Sequence, residues 1–190
     1  MKSLEELIDI KKKIVNSCNK CKEVGEPSCH TCISKIKKIY LYNQANIPEK
    51  FWNTELENVK LKTLLADFKY YDKIKDKGTN FIFQIEAADD VTPVLLKQAL
   101  DKSYSATLVN FLEVFKDNNL KLDSVFLGII NMNGQQLENY RTNLLESLLY
   151  QRKYNNLPTI ISTTLDLNFF KDAYQNLNFF IINSKFINLI

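Results

Sequence analysis

Glycine, proline, arginine and histidine are all scarce in this chain. Its 190 residues hold four Gly, four Pro, two Arg and one His. So few turn formers exclude a collagen-like or linker-like chain. Long hydrophobic runs are missing too. The longest are about six residues, Val125–Ile130 among them, against the roughly 18–20 that a membrane span needs. Residues Met1–Leu7 carry charge where a signal peptide needs an apolar core, so an intracellular, cytoplasmic chain is expected. What remains is ordinary for a globular protein: 45% apolar and 25% charged residues. The length suits one domain, or a small module joined to one compact domain.

Net charge is only +3, but it is unevenly spread. Residues 1–50 hold 10 Lys against 6 acids, whereas residues 51–190 hold 15 Lys and Arg against 16 acids. Any affinity for nucleic acid is therefore expected near the N-terminus, from Lys20, Lys22, Lys35, Lys37 and Lys38. A solvated lysine-rich surface would give the same count.

All four cysteines lie in one short segment, Cys18-Asn-Lys-Cys21 and Cys29-His-Thr-Cys32. The pattern is C-x2-C-x7-C-x2-C. Each pair can clamp one ion from a tight turn, and four thiolates complete a tetrahedral shell. Soft sulfur ligands and a closed shell point to Zn2+. Such a site has no open position, so a structural role is expected. Free thiols or two disulfides are the alternatives, and an intracellular chain disfavours disulfides. Gly25 and Pro27 mark the reversal between the pairs.

Hydrophobic spacing predicts helices over 3–16 and from Ile33 to about Asn43. A further helix is expected over Leu61–Asp72, followed by a polar turn at Lys73–Gly78. From residue 80 strands and helices alternate. Phe81–Ile85, Ala106–Val109, Val125–Ile130 and Thr159–Thr163 read as strands. Pro93–Ser103, Phe111–Lys116 and a stripe of Leu137, Tyr140, Leu144, Leu145 and Leu148 read as helices. Phe179–Ile182 and Phe186–Ile190 close the chain. Strands apolar on both faces predict a parallel α/β sheet covered on each side. The expected organisation is a zinc-binding module over 1–45, a connecting segment over 46–79 and an α/β domain over 80–190.

The order of several pieces resembles bacterial and phage replicative-helicase loaders of the DnaC/DnaI type and the related IstB-type transposition ATPases. The cysteine segment is followed by Tyr42-Asn-Gln-Ala-Asn-Ile-Pro48-Glu-Lys-Phe-Trp52, which looks like that family's lead-in. Leu144–Thr164, with Arg152, Pro158 and Thr159-Ile-Ile-Ser-Thr163, looks like its helix and sensor strand. The resemblance implies a three-layer parallel-sheet P-loop/AAA+-like domain preceded by a small zinc-binding helical module. It also implies that Arg152 is a candidate for reaching a neighbouring subunit's nucleotide, although a cation at a helix end is commonly a dipole partner.

The departures from that family are equally specific. The place for a phosphate loop is Ile85-Glu-Ala-Ala-Asp-Asp-Val-Thr92, which has no Gly and no Lys. Glu86, Asp89 and Asp90 there would repel phosphate. In Leu122–Ile130, Gly128 and Ile129 line up with the two acids that hold Mg2+ and activate water. Thr164 stands at the sensor Asn. The expectation is a degenerate domain that binds no ATP. The pair Asp89-Asp90 has no partners for acid/base work, and Ser162–Thr164 has none for nucleophilic work. No catalytic residue is predicted. Phe169, Phe170, Phe179, Phe180 and Phe186 are expected in the core or on a partner-facing patch.

Two functions fit. One is a non-catalytic, helicase-loader-like accessory or adaptor subunit of a DNA replication or related DNA-processing complex, with a helicase, active ATPase paralogue, polymerase or transcription component as partner. The other is a zinc-dependent nucleic-acid-binding transcription regulator or transcription-complex subunit.

Overall fold

A computed structural model describes residues 2–54, 68, 70–86, 91–115 and 122–190. Helix α1 spans Leu4–Asn16, α2 Asn19–Val24 and α3 His30–Gln44. A capping box at Ser3 and Glu6 opens α1, each side chain meeting the other's backbone N–H. Gly25, at φ +75°, closes α2 in the left-handed conformation that glycine adopts without strain. The sequence pattern did not single out α2.

Five parallel strands follow: β1 Asn80–Gln84, β2 Ala106–Asn110, β3 Phe126–Ile130, β4 Thr159–Thr163 and β5 Ser184–Asn188. Their order in the sheet is β2-β3-β4-β1-β5. Helix α4 (Tyr71–Lys77) precedes β1, and α5 (Thr92–Asp101) links β1 to β2. Helix α6 (Asn139–Tyr154) leads into β4, while α7 (Leu167–Ala173) and α8 (Asn178–Ile182) lead into β5. Alternate strand residues sort to the two faces, as a pleated strand requires. Phe81, Phe83, Leu108, Phe126 and Ile160 pack with α4 and α5. Ile82, Val109, Leu127, Ile129 and Ile161 pack with α6, α7 and α8. The three-layer α/β architecture expected from the sequence is therefore present.

Three local expectations change. The segment read as a polar turn is α4, because Tyr71 and Ile74 are buried three residues apart and Gly78 caps the end. Most of the helix expected over 61–72 lies outside the described residues. The helix expected over 111–116 shows a 3-10 turn at Phe111–Glu113, and residue 116 lies outside the description. On α6 the stripe shifts: Leu145, Leu149 and Arg152 are buried, while Tyr140 and Leu144 face out. Apolar residues outnumber what one face of that helix can bury.

The core continues across residue 45. Tyr42, Ala45, Ile47 and Trp52 share one cluster with the sheet face under α5. The Trp52 indole donates to the Ile47 carbonyl at 2.8 Å. Leu108 of the edge strand β2 donates its backbone N–H to the Ala45 carbonyl at 2.8 Å, and the Asn46 side chain donates to the Leu108 carbonyl at 3.3 Å. A smaller core of Ile14, Val15, Cys21 and Cys32 holds α1, α2 and α3 together.

Candidate metal centre and the carboxyl edge of the sheet

Both cysteine pairs sit at helix beginnings. Cys18 is the N-cap of α2 and Cys29 the N-cap of α3, so Cys21 and Cys32 each fall in a first turn. That spacing turns both sulfurs of a pair to one side. The four Sγ atoms lie within 4.8 Å of one another, with Cys18 and Cys29 Sγ 3.7 Å apart. A tetrahedron with Zn–S bonds of about 2.3 Å has edges of about 3.8 Å. The donor set and its dimensions fit a four-thiolate zinc ion.

Backbone N–H groups point at the sulfurs. Ser28 and Cys29 donate to Cys21 Sγ at 3.3 and 3.4 Å, and Cys32 donates to Cys29 Sγ at 3.4 Å. The bond from Cys29, with those from Ser28, lowers the Cys21 pKa to about 6 against the burial that opposes it. The Cys32 thiol moves up, because Cys29, burial and the other sulfurs all disfavour its ionisation. Four thiolates this close need a cation to share.

Lys20, Lys22, Lys35 and Lys37 are exposed on this module, and so is Lys38. Lys38 is the exception in use, since its ammonium pairs with Asp101 at 2.8 Å.

In open parallel sheets ligands gather beyond the carboxyl ends of the strands, where connections diverge. Here β1 connects to the far edge strand β2, and β4 connects past β1 to β5. The place between β1 and β4 is therefore the equivalent position. Residues 87–90, including Asp89 and Asp90, lie outside the described residues. Helix α5 begins at Thr92 with Val91 and Thr92 buried, and Pro93 removes one N–H from its first turn.

Gly128 and Ile129, lined up above with two acids, lie within β3 and short of its end. A Cβ on Gly128 would come 2.6 Å from Leu96 Cδ1 and 2.7 Å from Thr92 Cγ2, so no acid fits there. The strand's carboxyl end is followed by Asn131, Met132 and Asn133, which carry no charge either. Asn133 Oδ1 accepts the backbone N–H of Thr164 at 2.8 Å.

Arg152 is used inside the chain, not at a subunit boundary. The residue is 2% exposed. Its Nε donates to Thr159 Oγ1 at 2.9 Å. Its two terminal nitrogens donate to the carbonyls of Leu122, Ser124, Val125 and Pro158 at 2.6–3.1 Å. All five N–H donors are thus engaged. Burial pulls its pKa down to about 10, with Asp123 opposing, so it stays charged at neutral pH. The sequence read its helix-end position correctly but gave no sign of the carbonyl ring waiting for it.

The outward face of α6 was missed by the sequence reading. Tyr140, Leu144 and Tyr154 are exposed along it, Tyr154 at 83%. Ser147 and Gln151 complete the stripe, which holds no charge. Exposed Tyr150 stands beside Phe179, ring centroids 5.2 Å apart, and Ile182 of α8 is exposed nearby in sequence. Of the C-terminal aromatics, Phe170 and Phe180 are core, Phe169 is exposed, and Phe179 and Phe186 are half-buried.

Among the described residues, no helix is long and apolar enough to cross a membrane. No protein-family profile matches the sequence, and no curated protein matches it. Solved structures do. The crystal structure of DnaI aligns with a TM-score of 0.56 at 13% identity, over 78% of this chain and 97% of that one. A Streptococcus pyogenes serotype M3 protein, provisionally described as a primosome component, aligns with a TM-score of 0.49 at 12% identity, over 81% of this chain and 97% of that one. The chain therefore has a DnaI-like fold.

Proposed function

We propose that the chain is a non-catalytic, helicase-loader-like accessory subunit of a DNA replication or related DNA-processing complex. One observation carries the reading. On a DnaI-like sheet, the segment after β1 where a phosphate loop is expected has neither Gly nor Lys and holds three acids. The carboxyl end of β3 offers amides and Met132 where a metal-binding acid would stand.

With no nucleotide chemistry, the surface does the work. The uncharged aromatic face of α6 suits a protein partner, since tyrosine-rich, charge-depleted patches are typical of interface centres. The four cysteines hold a structural Zn2+ that keeps the module folded. Lys20, Lys22, Lys35 and Lys37 are exposed and make no ion pair with a described residue, so they can touch nucleic acid, with weak affinity because they neutralise few phosphates.

Calorimetry with millimolar Mg-ATP tests the reading and should show no heat. Micromolar binding, or measurable hydrolysis, would overturn it. A sequence-specific DNA complex with a steep salt slope would favour the transcription-regulator reading instead.

A further inference from the structure

A cleft of about 540 Å3 opens where α1 and α3 approach α5. Ile10, Ile14 and Ile39 line it with Trp52, and Lys13, Lys35 and Lys38 stand around them. These three lysines are exposed. Glu49 and Asp101 are the acids of the lining. Both are already matched. Asp101 meets Lys38 at 2.8 Å and Lys97 at 3.1 Å, and Glu49 meets Lys2 at 2.9 Å. Lys13 and Lys35 make no ion pair with any described residue. The cleft thus joins an aliphatic interior to a positively charged border.

We propose that this cleft docks an acidic amphipathic helix from a partner protein. Its apolar face would cover the half-buried Ile10 and Ile39, Ile14 being already buried, and its carboxylates would meet Lys13 and Lys35. Charge complementarity selects this occupant. A nucleic-acid strand would satisfy the lysines but bring little to the isoleucines. It would also find no open ring to stack on, because Tyr42 and Trp52 are both buried. An acidic helix answers both parts of the surface, as groove-bound helices do. Long-range attraction to the lysines speeds its arrival and makes it salt-dependent. The proposal rests on reading the chain as a subunit of an assembly.

Trp52 is the only tryptophan, so its emission reports on the cleft. The probe is a designed helix of about sixteen residues, leucines on one face and glutamates along both borders. Added to the intact chain, it should shift Trp52 emission with a Kd on the order of tens of micromolar, weakening with salt. Lys13→Glu with Lys35→Glu should weaken binding at least about tenfold, while circular dichroism shows the fold unchanged. The same helix with lysines for glutamates should not bind. Absence of any emission change with the acidic helix overturns the proposal, as does equal affinity for the doubly substituted chain. If oligothymidylate saturates the signal more tightly than the peptide, the cleft is a nucleic-acid site and the proposal falls. The isolated chain is used throughout, so none of these failures bears on the missing nucleotide site or the α6 face.

Discussion

The Tyr42 hydroxyl donates to the Asp101 carboxylate at 2.6 Å, tying the last turn of α3 to the last turn of α5. Lys38 and Lys97 converge on the same carboxylate. One acid therefore serves three donors from two parts of the chain.

Asp101→Asn should destabilise the chain by about 1–3 kcal/mol, because two cations lose their counter-charge. Burial alone would raise the Asp101 pKa, but the bonds from Lys38, Tyr42 and Lys97 outweigh it and leave it lowered. Its contribution is thus fully present above the ordinary carboxyl pKa and lost as pH falls through the lower, folded value. Urea midpoints at neutral and strongly acidic pH should differ less in Asp101→Asn than in the unchanged chain.

The purified chain should carry close to one Zn2+, as a single four-thiolate shell requires. Elemental analysis after dialysis checks this. Cys21→Ser should abolish retention and loosen α1, α2 and the start of α3, leaving the sheet and the Tyr42 end of α3 folded. In the metal-free chain, the ultraviolet absorbance of thiolate should show a step near pH 6, from Cys21. Zinc affinity should rise with pH across that step, since the ligands bind as thiolates.

Arg152→Lys keeps the charge but has only three donors for five acceptors. A loss of about 3 kcal/mol in denaturant unfolding is expected, from buried carbonyls left unpaired. An unchanged midpoint would mean that the carbonyls find other donors.

Gly128→Ala should cost about 1–3 kcal/mol through overpacking against Leu96 and Thr92. Gly128→Asp should be worse, because the carboxylate would also be buried without a cation. Thermal melts of the two variants give the order.

The sheet was legible because its strands are short apolar runs separated by helical spacing. Phe81–Phe83 and Ile160–Ile161 are buried on both faces and show no polar alternation to mislead. The four-cysteine cluster was legible because ligand spacing is local: two CxxC pairs fall on two helix beginnings. The cleft was not legible. Ile10, Lys35 and Trp52 belong to separate segments, and only the packing of α1 and α3 toward α5 assembles them. Arg152 misled for a related reason. Its acceptors are backbone carbonyls, which leave no trace in side-chain identity. The stripe on α6 misled by abundance, since Tyr140 and Leu144 carry the same spacing signal as Leu145 and Leu149.

The cover that Ala45 and Asn46 place on Leu108 has a practical side. Among the described residues, these two are what hydrogen-bonds the outer side of β2. A chain trimmed at residue 45 would leave a raw strand edge and a hole where Tyr42 sat. Such an edge recruits other copies of itself. Truncation experiments would then report clumping in place of lost function. Silencing the module by single thiol substitutions keeps that edge sealed, and it is the cleaner genetic handle.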